Sequence, residues 1–360
     1  MSKEEKEEMN KVILDKFKNI FANIYDSYKW KIIYRNDNRF VYEGTAKINN
    51  KYDYLVIKGI IIDNHSFKEI FKELYFLILL KKEKYFVNII DKKMIIDGEN
   101  NKNLFMIFKG NYINLKQLYK YKYPSAERTK QIIYQIAFGL YILHFNNIIH
   151  NDIKPANILI DENYMIKIAD FGSAIYYQNN NIYNISNSFS RAYAPPEYLN
   201  GSTRDQKSDM WSLGVMIAEI CLETNFFNNN DSKSQILNSM LSKFDINEGL
   251  NQQEINNLIY YNNDISKFNI EEFKNNIKDE EKKIDDDLID LVSHLLVLNP
   301  KKRYSAKEVL MSNYLKNYPG NDSYILNKIK SPMDYNSLLG DMNEKNFLDK
   351  LKDLIQINID

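Results

Sequence analysis

Between positions 150 and 172 the chain reads His-Asn-Asp-Ile-Lys-Pro-Ala-Asn and, a short interval later, Asp-Phe-Gly. The segment supplies a lone carboxylate (Asp152), an ammonium group (Lys154), an amide (Asn157) and a second carboxylate (Asp170). These are the groups needed to move a phosphoryl group from a nucleotide held by magnesium. A carboxylate orients the attacking hydroxyl and accepts its proton, while an ammonium group neutralises charge on the moving phosphoryl. An amide oxygen and a carboxylate suit Mg²⁺, a hard cation that prefers oxygen ligands. A lone Asp in a loop is ordinarily a turn former or a cap. A turn former does not by itself account for Lys154, Pro155 and Asn157 following at this spacing.

Such groups need a frame, and the flanking patterns supply one. Glu4 to Tyr28 carries Met9, Val12, Ile13, Phe17, Ile20, Phe21 and Ile24 at helical spacing, which predicts an amphipathic helix. Trp30–Arg35 and Phe40–Ile48 read as strands joined through Asn36-Asp37-Asn38, a hairpin with turn-forming residues. Tyr54–Ile62 is a third strand and carries Lys58. Ser66–Lys82 reads as a helix, with Ser66 an N-cap three residues before Glu69. Met94–Ile96 and Leu104–Phe108 are further strands. Beyond Asn111 the pattern turns helical, most clearly in Ala126–Phe145, Asp209–Cys221, Gln235–Phe244 and Leu288–Leu298. The short strands Ile158–Ile160 and Ile166–Ile168 flank the chemistry, and Asn346–Ile357 is amphipathic again. The fold class is α+β: a small N-terminal antiparallel sheet with one helix, then a larger, mainly helical part.

The string around Asp152 and Asp170 resembles the catalytic loop and metal-binding triplet of eukaryotic-type protein kinases. Leu55-Val56-Ile57-Lys58 resembles that family's lysine-bearing strand, and Pro195-Pro196-Glu197 its Ala-Pro-Glu motif. The ordered series Lys58, Glu73, Asp152, Asn157, Asp170, Glu197, Asp209, Arg303 carries the resemblance over roughly residues 30–318. It implies a two-lobed kinase-like fold, with an amphipathic helix over 1–28, a small lobe over 29–110, a large lobe over 111–318 and a tail over 319–360. It also implies ATP and Mg²⁺ as cofactors, with Asp152, Lys154, Lys58 and Glu73 as catalytic residues. Asn157 and Asp170 become metal ligands. Glu73 is the expected partner of Lys58, with Glu69 one turn earlier as the alternative. Val41, Val56, Lys58, Phe108, Lys109, Asn111 and Leu159 line the nucleotide site. Lys154, two residues after the Asp, points to the serine/threonine branch, and hence to a protein substrate with Ser or Thr. Glu197 is expected to pair with Arg303, Asp209 to hold the catalytic-loop backbone, and Ser190 to contact Asp152 and Lys154. His150 is read as structural.

Two departures stand out. The family's His-Arg-Asp is His150-Asn151-Asp152 here, so the arginine that often receives an activation-loop phosphate is missing. No glycine precedes Gly44, and the glycine-rich loop positions fall on Tyr34, Asn36 and Arg39. Glycines there let the backbone approach phosphates closely. Two rival readings follow: a catalytically weak or inactive kinase-like scaffold, and a small-molecule phosphotransferase of similar fold.

Composition bounds the rest. Lys+Arg and Asp+Glu are both 48 in 360 residues, so no global field favours nucleic acid or an anionic membrane. A hydrophobic fraction of 44% excludes disorder of the whole chain. One cysteine, Cys221, excludes a disulfide framework. No run approaches the roughly twenty apolar residues of a membrane span, and no signal peptide is legible. The reading is a soluble, intracellular chain, cytoplasmic or nuclear. Its N- and C-terminal amphipathic helices are expected to dock on the small lobe or to receive a partner chain.

Overall fold

The structure, a computed structural model, describes residues 26–36, 39–48, 51–62, 67–97, 101–178, 181–182, 190–201, 205–244, 246, 253–255, 259, 268–277, 285–319 and 344–356. These form two compact units, one of residues up to Glu83, Val87–Tyr112 and the C-terminal helix, the other of Lys84–Phe86 and Ile113–Ile329.

The first unit is built on a five-stranded antiparallel sheet: β1 (Asp26–Arg35), β2 (Arg39–Ile48), β3 (Lys51–Ile61), β4 (Ile89–Asp97) and β5 (Asn101–Lys109), in the order β1-β2-β3-β5-β4. Alternation of the sequence decides which side of the sheet is packed. Phe40, Tyr42 and Ala46 from β2, Leu55 and Ile57 from β3, and Phe105 and Ile107 from β5 form one buried cluster with Trp30. Residues between them in β2, β3 and β5 project to the other face. There Val41 lies opposite Lys58, Lys58 opposite Met106, and Val56 opposite Phe108. Helix α1 (Phe67–Leu79) is buried on nearly all sides from Ile70 to Leu79, including Lys72 and Glu73. Part of that cover is the C-terminal helix, Glu344–Gln356, which packs on α1 and β4 with Leu351 and Leu354 fully buried.

The second unit is mainly helical. Helix α2 (Ala126–Phe145) starts at an N-cap Ser125 and, beyond the single stripe expected, is buried on nearly all sides from Ile132 to His144. Helix α3 (Lys207–Leu222) is buried from Ser208 through Leu222, as its nearly all-apolar sequence requires. Helix α4 (Asp286–Leu295) begins at the capping Asp285 and ends before Asn299-Pro300. Lys233–Ser242 starts at a capping box of Ser232 and Gln235. Ile158–Ile160 and Ile166–Ile168 pair as an antiparallel ladder, extended by Ile113–Asn114.

The expected α+β class holds, and most element boundaries move by only a few residues. One differs in kind. The helical reading of Glu4 to Tyr28 lies outside the described residues up to 25, but its last three residues, Asp26–Tyr28, belong to β1. Long-range pairing with Ala46 and Lys47 overrides the local helical period. Strands β4 and β5 also run well past Met94–Ile96 and Leu104–Phe108, because each pairs along its length with the other.

Candidate active site

The geometry around Asp152 is set by backbone fixed from behind. Asp209, fully buried on α3, accepts the backbone N–H groups of His150 (2.9 Å) and Asn151 (2.8 Å). Its Oδ2 also meets His144 Nε2 at 2.9 Å, from the last turn of α2. Three donors on one buried carboxylate hold the loop in a single conformation. Within it Asn151 takes φ of 70°, left-handed backbone that Asn tolerates better than most residues. Its side-chain Nδ2 donates to the carbonyl of Ser173 at 3.3 Å. His150 is fully buried, bonded through Nε2 to the Ala169 carbonyl (3.1 Å) and set against the Phe171 ring, 5.0 Å between centroids.

Asp152 therefore stands on a rigid base. Its Oδ2 accepts Lys154 Nζ (2.6 Å) and Asn157 Nδ2 (3.0 Å), and its Oδ1 accepts the backbone N–H of Ser190 at 3.3 Å. Lys154 Nζ also donates to Ser190 Oγ at 2.7 Å. The strong, charge-assisted bonds converge on Oδ2, leaving Oδ1 with one long contact and free capacity to accept a hydroxyl proton. Asn157 Nδ2 bonds the Asp152 carbonyl as well (2.8 Å), which turns the oxygen end of that amide away from Asp152. The Ile158–Ile168 ladder then aligns the two oxygen-donor candidates. Asn157 precedes one strand and Asp170 follows the other, and Ala169 N–H donates to the Asn157 carbonyl at 2.9 Å. Asp170 takes φ of 67°. Among the described residues no cluster of three His, Cys, Asp or Glu exists that would hold a cation unaided. An amide oxygen plus one carboxylate fits Mg²⁺, which keeps several ligand positions for water or phosphate oxygen.

In the first unit Lys58 pairs with Glu73, buried on α1. Glu69, the alternative partner, instead lies 3.7 Å from Arg39 Nη2. Val41, Val56, Lys58 and Phe108 share the sheet face opposite the core and are all half-buried. Lys109 forms an ion pair with Asp53 at 2.8 Å. Gly110 follows at φ of 136°, left-handed backbone open to glycine, and Asn111 is exposed. Leu159 belongs to the second unit, opposite Lys167 and Asn114 in the short ladder. The β1–β2 turn is closed by Asn36, whose N–H donates to the Arg39 carbonyl (2.8 Å) and whose Oδ1 accepts the Arg39 N–H (2.7 Å).

Glu197 and Arg303 meet in a buried bidentate pair, 3.0 and 3.1 Å, each residue 1% exposed. Arg303 gives further bonds to the carbonyls of Val297 and Lys207 and lies over the Trp211 ring at 5.2 Å. Two features were not legible in the sequence. His144, which carried no ligand spacing, anchors Asp209. Glu219 accepts Tyr193 O–H (2.9 Å) and Phe226 N–H (3.2 Å), and burial pushes its carboxyl up to about 7. A carboxylate in an apolar helix was the available signal for Glu219.

The protein kinase domain profile matches residues 41–315. The chain is similar to cyclin-dependent kinase C-2 of Oryza sativa subsp. japonica, 31% identical over 193 residues, 53% of this chain and 37% of the relative. It is similar to extracellular signal-regulated kinase 7 of Drosophila melanogaster, 28% identical over 267 residues, 71% of this chain and 28% of the relative. Extracellular signal-regulated kinase 2 of Dictyostelium discoideum is 30% identical over 173 residues, 46% of each chain. The matches span less than half the length of these curated relatives.

Proposed function

The chain belongs to the protein kinase family, and on that premise we propose that it transfers the γ-phosphoryl group of ATP to Ser and Thr hydroxyls of protein substrates. Asp152 orients the substrate hydroxyl and takes its proton at Oδ1. Lys154, bonded to both Asp152 and Ser190, places positive charge beside the transferring group. Asn157 and Asp170 would hold Mg²⁺, which would screen phosphate charge. Lys58, fixed by Glu73, contacts the nucleotide phosphates, and Val41, Val56, Phe108, Lys109, Asn111 and Leu159 form the nucleotide site. The observation that carries the proposal is the bracing of Asp152 by Lys154, Asn157 and Ser190 on a loop tied down by Asp209. Such preorganisation serves a reacting group and has little value in a surface loop.

Two finer readings belong to the same proposal. With Asn151 in place of arginine, the segment after Asp170 is tied by the neutral Asn151–Ser173 bond, so activity does not depend on an activation-loop phosphate. With no glycine before Gly44, phosphate binding leans on Lys58 and Mg²⁺ rather than on the β1–β2 turn. No described helix is long and apolar enough to cross a membrane, and an intracellular site of action, cytoplasmic or nuclear, goes with the proposed substrates. The missing glycines also favour a second reading, a kinase-like scaffold with weak or no transfer.

The experiment is incubation of the full chain with γ-labelled ATP, Mg²⁺ and generic protein substrates, followed by phosphoamino-acid analysis. Label on Ser and Thr that disappears on chelation supports the kinase. Label on Tyr alone, or on small molecules alone, refutes the proposed substrate class. Saturable ATP binding without transfer moves the reading to the scaffold.

A further inference from the structure

The second unit carries a half-open cavity of about 330 Å³ whose lining includes no member of the Asp152 cluster. It lies where Pro124 and the first turn of α2 meet the last turn of α3 and the first turn of α4. Helix ends cannot interlock as helix flanks do. Ala126 fills little of the gap with its single methyl group. The floor is apolar: Ile220, Cys221, Leu288 and Tyr314 line it, each less than a tenth exposed. The volume lies at the small end of the range of ligand sites.

Charge at the mouth selects what fits. Glu127 and Asp285 are both exposed there. Asp285 uses one oxygen to cap α4, accepting Asp287 N–H at 3.0 Å. Lys130, the cation of the lining, sits 4.7 Å over the Tyr314 ring and is already engaged. The helix N-termini of α2 and α4 add partial positive charge, but Asp286 and Asp287 offset it in the first turn of α4. The balance is an apolar chamber with an acidic rim.

We propose that this cavity is a binding site for a small cationic amphiphile, an alkyl or aryl body carrying one protonated amine. The body fills the Ile220–Cys221–Leu288–Tyr314 chamber, and the ammonium group stays at the mouth between Glu127 and Asp285. This site is independent of phosphoryl transfer and stands whether or not the chain is an active kinase.

The test is calorimetric titration of the full chain with octylammonium, octanol and octanoate, which share a body and differ in head-group charge. Octylammonium is expected to bind about fivefold tighter than octanol, the effect of a partly exposed charge pair, with octanoate weakest. Glu127→Gln combined with Asp285→Asn should remove the preference and keep octanol binding, since Asn still caps α4. Ala126→Trp, at an exposed position, should block the mouth to all three without disturbing the core. Cys221 is the only thiol in the chain, so N-ethylmaleimide should label it, more slowly with octylammonium present. Octanoate binding as tightly as octylammonium overturns the proposal. So do binding indifferent to Ala126→Trp, no binding by any of the three, or a thiol whose labelling octylammonium leaves unchanged.

Discussion

The loop around Asp152 and the turn between β1 and β2 follow opposite strategies. In the loop every charged group has at least one strong partner, and the backbone itself is fixed by Asp209 through two N–H bonds. In the turn, closure comes from one residue pair, with Asn36 N–H donating to the Arg39 carbonyl at 2.8 Å and Asn36 Oδ1 accepting the Arg39 N–H at 2.7 Å. Arg39, at the far side of the turn, meets Glu69 at 3.7 Å. Cross-bracing gives the loop one geometry, which suits a group that must meet a transition state within tenths of an ångström. The turn has kept its hairpin and lost the glycines that admit phosphate to backbone amides. On the proposed function, the braced loop serves the chemistry and the glycine-free turn loosens only the grip on the nucleotide.

The largest expected effect tests how far the second unit's rigidity depends on paired buried charge. Arg303→Met leaves Glu197 as an unpaired carboxylate with almost no exposure, and should cost about 3–5 kcal/mol in denaturant unfolding. Replacing Glu197 and Arg303 together by apolar residues should recover much of that loss, because breaking a buried pair is worse than removing it. Equal damage from the single and double variants would mean that the bonds from Arg303 to Val297 and Lys207 dominate.

Glu219 provides a pH-dependent version of the same contrast. Its carboxyl is raised to about 7 by burial, against 4.5 in the unfolded chain. The folded state therefore holds this proton more tightly, and the group's contribution falls as pH rises from about 4.5 to about 7. Above that range the full cost, of order 3 kcal/mol for a shift of this size, is present. Glu219→Gln keeps an acceptor for Tyr193 and removes the titration. Unfolding free energies measured from pH 5 to 8 should flatten in the variant, most visibly between pH 5 and 7, where the wild type loses stability. A wild-type curve already flat over that window would mean that Glu219 titrates normally.

These residues also show what the sequence could carry. The ordered charges from Lys58 to Arg303 were legible because each sits in a short local string. Val41, Val56, Lys58 and Phe108 were named through the family resemblance alone, and it is the strand register that sets them on one face. Pairings fixed only by the folded backbone were not legible. His144 reaches Asp209 across 65 positions, and no local spacing announces it. The two-residue strands Ile113–Asn114 and Ile148–Ile149 exist because of their partners, not their own propensity. Asp26–Tyr28 joined β1 for the same reason. The amphipathic period of 346–357 was plain, but only tertiary packing decides that Leu351 and Leu354 are buried within the first unit, against α1 and β4.

Smaller effects probe control and grip. If the Asn151–Ser173 bond replaces a phosphate-dependent one, phosphatase treatment should leave transfer activity unchanged. Activity abolished by phosphatase would contradict that reading. In the turn, glycine at positions 34, 36 and 39 should let amides approach the phosphates and strengthen MgATP binding by about 1 kcal/mol, the net worth of one hydrogen bond. Calorimetry in the presence of Mg²⁺ reads this directly. Weaker binding in the glycine variant would show that closure by Asn36 matters more than amide access.

The central proposal is that Asp152 is a preorganised base for phosphoryl transfer. The direct measurement is single-turnover phosphoryl transfer by wild type and Asp152→Asn, beside calorimetric MgATP titration of both. Transfer should fall on the order of 10²–10⁴-fold in the variant, with MgATP affinity nearly unchanged. Wild-type transfer rates in Asp152→Asn, or loss of transfer and nucleotide binding together, would contradict the account.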